Sequence, residues 1–162
     1  MTTLLDPPIL PPVPPACVSP RVLVDSAMGL GRGPAYRIAR TRPGAELCDA
    51  IALPLTRDLL ISRCTDIPDA HRVLGVALAL GRAARTAQQH RGAYTAAAYA
   101  ALAQDRRALG LLLLETALDA DETPGDADPF TAALSTAIFY YEATGAQYRY
   151  FAARTALRLR HA

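Results

Sequence analysis

The residues best placed to do chemistry in this chain are arginines. Arg32, Arg37, Arg40 and Arg42 fall within one short stretch, with Tyr36 among them and with Gly29, Gly31 and Gly33 just before. Guanidinium groups at that spacing suit phosphate oxygens and base edges, so nucleic acid is one expected partner. The competing reading is an ordinary exposed helix with solvated charges. A second group is aromatic: Tyr141, Tyr148, Tyr150 and Phe151 lie close together near the C-terminus. They fit a bundle core or a face that receives a protein partner or a second copy of the chain.

Other chemistries are excluded by what is missing. The chain has no GxSxG, Walker, HExxH or CxxC pattern. A dinucleotide loop would need glycine at 34, where Pro34 stands, and no βαβ unit follows. His71, His90 and His161 share no metal-ligand spacing with each other or with Cys17, Cys48 and Cys64. The acidic stretch 119–128 fails as a calcium loop: Gly125 is one position late, and Phe130 stands where the bidentate glutamate belongs. The sequence therefore predicts no catalytic residue, no cofactor and no metal site, and gives an enzyme no support.

Composition sets the class. At 162 residues, 51% hydrophobic and 20% charged, the chain is long and apolar enough for one globular domain. All 17 basic residues are arginine, which, with the abundant Ala, Leu, Gly and Pro, reads as the codon bias of a GC-rich bacterium. The net charge of +2 does not by itself make a nucleic-acid footprint. Three scattered cysteines imply reduced, buried thiols in a cytoplasmic protein. No signal peptide and no apolar run near the ~20 residues of a membrane span is present.

These groups need a scaffold, and the pattern is helical throughout. Residues 1–20 form a proline-rich arm, extended or polyproline II, which either packs on the domain or offers a PxxP ligand. Residues 21–162 read as a single all-α domain of about five helices. Ala35 to Arg40 is a helix stopped by Pro43-Gly44. Thr56 caps a short helix from Arg57 to Cys64. Asp66 caps a longer one, with Asp69 in its first turn and an apolar stripe of Val73, Ala77, Leu80 and Ala84. Two helices follow, joined by a polar turn at Gln104-Asp105-Arg106. The second carries Leu109 to Leu114, the most apolar run and so the expected centre of the core. After Asp128 and Pro129, the seam Leu134, Ile138, Tyr141, Gly145, Tyr148, Ala152, Thr155 and Leu159 reads as one long helix.

Two resemblances sharpen this. Gly29 to Arg40, with a glycine ending one helix and Tyr36-Arg37 on the next, resembles the turn and recognition helix of excisionase-type and MerR-type DNA-binding modules. That implies a small DNA-binding accessory or regulatory protein using Arg32, Tyr36, Arg37, Arg40 and Arg42. Residues 55–121 resemble the C-terminal helical part of an actinobacterial family of unknown function. The resemblance is carried by Arg57-Asp58-Leu59-Leu60, by Ala97 to Leu102, and above all by Ala108 to Asp121. It implies an actinobacterial source and a tetratricopeptide-like helix hairpin, and no catalytic residues. The favoured expectation is a non-catalytic helical interaction module, self-associating or bound to a protein partner through Tyr141, Tyr148, Tyr150 and Phe151, with no role at a membrane. DNA binding is the alternative.

Overall fold

The structure is a computed structural model that describes residues 18–30, 35–120, 129–145 and 147–161. Residues 1–17 of the proline-rich arm and the acidic stretch at 121–128 lie outside the described residues. The fold is all-helical: eight α-helices and one 3₁₀ segment are described, and no strand occurs among the described residues.

The helical count exceeds the five expected because proline and threonine start helices where the pattern alone suggested stops. Helix α1 (Pro20–Leu30) begins on a proline and buries Leu23, Val24 and Ala27. Burial outweighs the weak helix propensity of its valines. The 3₁₀ segment Ala35–Arg40 follows, with Ile38 buried. Thr41 then does two jobs. Its hydroxyl donates to the Ile38 carbonyl at 2.7 Å and accepts from the Gly44 amide at 3.1 Å. One side chain thus closes the 3₁₀ segment and caps α2 (Arg42–Ala50). Pro43-Gly44, expected to end a helix, sits in the first turn of the next one, where proline's missing N–H costs nothing.

Helix α3 spans Pro54–Ile61, with Leu53 as its N-cap. The expected cap, Thr56, is instead buried inside the first turn. Asp66 caps α4 (Ile67–Ala83) by accepting from the Asp69 amide at 2.7 Å, as the sequence predicts. Helix α5 (Ala87–Leu102) opens with a capping box: the Gln89 amide donates to the Thr86 hydroxyl and the Thr86 amide to the Gln89 side chain, both at 3.2 Å. A tight connection leads to α6 (Arg107–Asp119), with Asp105 in the left-handed region at φ 56°. The expected single C-terminal helix is two, α7 (Pro129–Thr144) and α8 (Tyr148–His161). Gly145 separates them at φ +67°, a conformation that ends helices and that glycine adopts without strain.

The core is centred on α5, not on the leucine run of α6. Every residue from Thr95 to Ala103 is buried, and α5 packs most extensively on α4 and α6, with further contacts to α2, α3 and α8. Helix α6 buries Leu113, Leu114 and Ala117 but leaves Leu112 59% exposed. A helix with partners on one side only cannot bury leucine all round.

Close approach at the start of α5 depends on Gly92. A Cβ there would overlap the carbonyl of Ile51 in the turn before α3, and backbone cannot move aside cheaply. Gly92→Ala should destabilise the protein by about 2 kcal/mol in urea unfolding, the scale of overpacking. Gly29→Ala, on the exposed end of α1 with nothing within reach of the added methyl, should raise stability by up to about 1 kcal/mol.

Candidate functional site

Of the arginine group, Arg37, Arg40 and Arg42 are described and all three are exposed. Arg32 and the Tyr36 side chain lie outside the described residues. Arg37 and Arg40 are three residues apart on a 3₁₀ helix, so they project from the same side. Ile38, between them, turns into the core, and the segment packs on α4. Arg42 opens α2 with its Nε 2.9 Å from Glu46 Oε1, a solvent-exposed pair of little energetic weight. The geometry therefore yields a short, exposed cationic ridge anchored by one buried isoleucine.

The aromatic group divides. The side chains of Tyr141 and Tyr150 lie outside the described residues. Tyr148 and Phe151 are half-buried and pack against the core. Phe151 lies 6.5 Å, centroid to centroid, from the ring of Tyr99, and Phe130 lies 6.4 Å from the same ring on tilted planes. Tyr99 is fully buried on α5, hydrogen-bonded at α8 to Thr155 and Ala156. Among the described side chains, Phe151 thus joins α8 to the core rather than facing outward. The apolar exposure lies elsewhere on the same two helices: Phe139 on α7 is 75% exposed and Leu157 on α8 is 49% exposed.

Nucleophile and metal chemistry is poorly provided for. Cys48 and Cys64 are free and buried, while Cys17 lies outside the described residues. The Cys48 thiol donates to the Leu80 carbonyl at 3.7 Å. Its pKa is raised by burial and then by neighbouring Asp49, against a smaller opposing effect of Arg85. Burial, and then Asp69, pushes Cys64 well above the ordinary thiol range. Both are held as neutral thiols, the opposite of an activated cysteine. Among the described residues no group of three or more His, Cys, Asp or Glu could hold a metal ion. No helix among them is long and apolar enough to cross a membrane.

Two features escape the sequence reading. His90 is half-buried rather than a surface residue, its ring 4.4 Å from that of Tyr94 one turn later on α5. It lines a cleft of about 460 Å³ with Arg85, Thr86, Thr116 and Asp119, where the start of α5 meets the end of α6. The i, i+4 spacing of His90 and Tyr94 was the available signal. Arg57 is buried on α3, with Nε 3.0 Å from Asp58 Oδ1 and its guanidinium carbon 4.6 Å from the centre of the Phe130 ring. Burial of this arginine has no signal in a sequence that places Phe130 so far along the chain.

The raised thiol and phenol values carry a pH dependence of definite sign. Below about pH 9.0, the ordinary thiol value, Cys64 is protonated whether the chain is folded or not. Above it the unfolded chain releases a proton that the folded protein keeps. The stability linked to Cys64 is therefore full below pH 9 and is lost as pH rises; Tyr99 adds to the loss above its ordinary 10.0, because burial first, then Cys64, raises its pKa too. Melting temperature should fall from pH 9 upward, and more steeply in the wild type than in Cys64→Ala; parallel curves would contradict the assignment.

No family model, curated protein or solved structure matches the chain.

Proposed function

We propose that the protein is a non-catalytic, cytoplasmic helical interaction module that associates with a second copy of itself through α7 and α8. The observation that carries this reading is Phe139, a phenylalanine left three-quarters in water on a helix that also buries Leu134 and Ile138 against its own domain. Covering such a side chain yields about 1.5–3 kcal/mol, and Leu157 on α8 adds to the apolar surface. In this reading α5 and α6 serve as a tetratricopeptide-like hairpin that presents the C-terminal pair, supported by their four-residue connection Ala103–Arg106. The likeness of residues 55–121 to an actinobacterial helical family belongs to the same proposal.

The alternative is a small helix-turn-helix-type DNA-binding accessory protein. The exposed ridge of Arg37, Arg40 and Arg42 favours it, with Arg32 and Tyr36 as further candidates.

Light scattering separates these readings. The wild type should behave as a dimer, and Phe139→Asp with Leu157→Asp as a folded monomer that keeps its helical circular dichroism and melts lower for want of the dimer's stabilisation. A wild type that stays monomeric at high concentration would overturn self-association. If DNA is the partner, a mobility shift at low salt should weaken as salt rises and drop by roughly tenfold or more in Arg37→Ala/Arg40→Ala. No shift at low salt would remove that alternative.

A further inference from the structure

The cleft where the start of α5 meets the end of α6 has a volume of about 460 Å³. That falls within the roughly 300–1,000 Å³ of ordinary small-molecule sites. Arg85 stands on its α5 side and Asp119 on its α6 side. The two form no ion pair with each other or with another described residue. Asp49, which shares a smaller space with Arg85, instead accepts from the Gln89 side-chain amide at 3.1 Å. Opposite charges thus border one space without touching.

The two walls differ in hydrogen-bonding character as well as in sign. Thr86, next to Arg85, accepts from the Gln89 amide at 3.2 Å and keeps its own hydrogen to donate. It caps α5, whose amino end is the positive end of the helix dipole. On the other wall, the Thr116 hydroxyl donates to the Leu112 carbonyl at 2.8 Å, so it offers the cleft an acceptor. Asp119 is the last residue of α6, where the helix dipole disfavours a carboxylate, and the last turn holds no basic residue to relieve it. Donors therefore line the α5 side and acceptors the α6 side. His90 completes the lining, its Nδ1 buried with no hydrogen-bond partner. A wall residue that forgoes a hydrogen bond marks a place where packing alone does not set the residue.

We propose that this cleft binds a free α-amino acid as its zwitterion. Its carboxylate meets Arg85 and the Thr86 hydroxyl, and its ammonium meets Asp119 and the Thr116 oxygen. An uncharged side chain rests on the His90 ring and on the methyl groups of Ala84, Ala87 and Ala120. Each charged end of the ligand then makes charge-assisted hydrogen bonds. A simple anion would be drawn to one wall and repelled by the other, and a simple cation likewise. None of the described lining residues belongs to α7 or α8, so the site stands or falls independently of self-association.

The test is titration calorimetry on the full-length protein with L-leucine and with two analogues that each lack one charge. N-acetyl-L-leucine has no ammonium, and L-leucinamide has no carboxylate. L-leucine should bind saturably, and each analogue about tenfold or more weakly. Asp119→Asn should weaken L-leucine and leave N-acetyl-L-leucine unchanged, because the ammonium is what Asp119 meets. Arg85→Gln should weaken L-leucine and leave L-leucinamide unchanged. Both side chains are exposed, so both variants should fold, with unchanged helical circular dichroism as the check. Analogues that bind as well as L-leucine would overturn the proposal. So would L-leucine affinity unaltered in Asp119→Asn, or no saturable binding of L-leucine, L-phenylalanine or glycine.

Discussion

Everything in this fold depends on a helix that has almost no side chains to spare. From Ala93 to Ala103, α5 carries seven alanines at or near zero exposure, and Tyr99 and Leu102 are its only large buried groups over that span. Alanine brings little apolar area, so its contribution comes from allowing neighbouring backbones to come close. That is why α5 can be surrounded by α2, α3, α4, α6 and α8 at once. The larger residues that fill the gaps belong to the neighbours: Val73, Val76 and Leu80 on α4, Leu113 and Leu114 on α6, and Phe130 and Phe151 against Tyr99. Gly92 and Gly110 extend the same economy to the two ends of this packing. At Gly110 an added methyl would run into Leu102.

This arrangement explains where sequence reading succeeds. The middle of the chain is legible because its signals are local. Asp66 lies three residues before Asp69, the stripe through Val73, Ala77 and Leu80 has helical period, and Gln104-Asp105-Arg106 breaks the pattern between two apolar helices. Thr86-x-x-Gln89 carries an equally local signal, the capping-box pattern. Elsewhere the sequence is ambiguous where one residue can act in two ways. Pro43 and Pro54 each open a helix, which proline does as readily as it ends one. Gly145 occupied an apolar position of a seam running through 134–159, and periodicity alone does not register a positive φ. The leucine run of α6 looked like the centre because hydropathy counts side-chain size. Burial is decided by how many neighbours a helix has.

The functional surfaces follow the same division. Exposure of Arg37, Arg40 and Arg42 was foreseeable from charge alone, since arginine is seldom buried without a partner. The exception, Arg57, is buried with Asp58 beside it on α3 and with Phe130 brought to it by α7 from a distant part of the chain. Its neighbour in sequence, Thr56, is buried too, with no hydrogen-bond partner for its hydroxyl among the described residues. The first turn of α3 therefore concentrates polar groups in the interior, the kind of local inconsistency that tends to mark function rather than packing. The aromatic residues show the converse. For Phe151 the sequence leaves open a bundle core or a partner face, and its contact with Tyr99 makes it part of the wall around α5.

The order of the helices along the chain has a kinetic meaning. The partners that α5 contacts most, α4 and α6, are its immediate neighbours in sequence, joined to it by short connections. Closing such short loops costs little entropy, so this trio is a low-contact-order unit able to form early. The flanking parts, α1 to α3 and α7 to α8, reach α5 only from farther along the chain. During synthesis the ribosome would release α4, α5 and α6 as a consecutive set, so the helix most dependent on being covered spends the least time waiting for its cover. Amide exchange in α5 would then report global unfolding, and exchange in α7 the local release of the C-terminal pair.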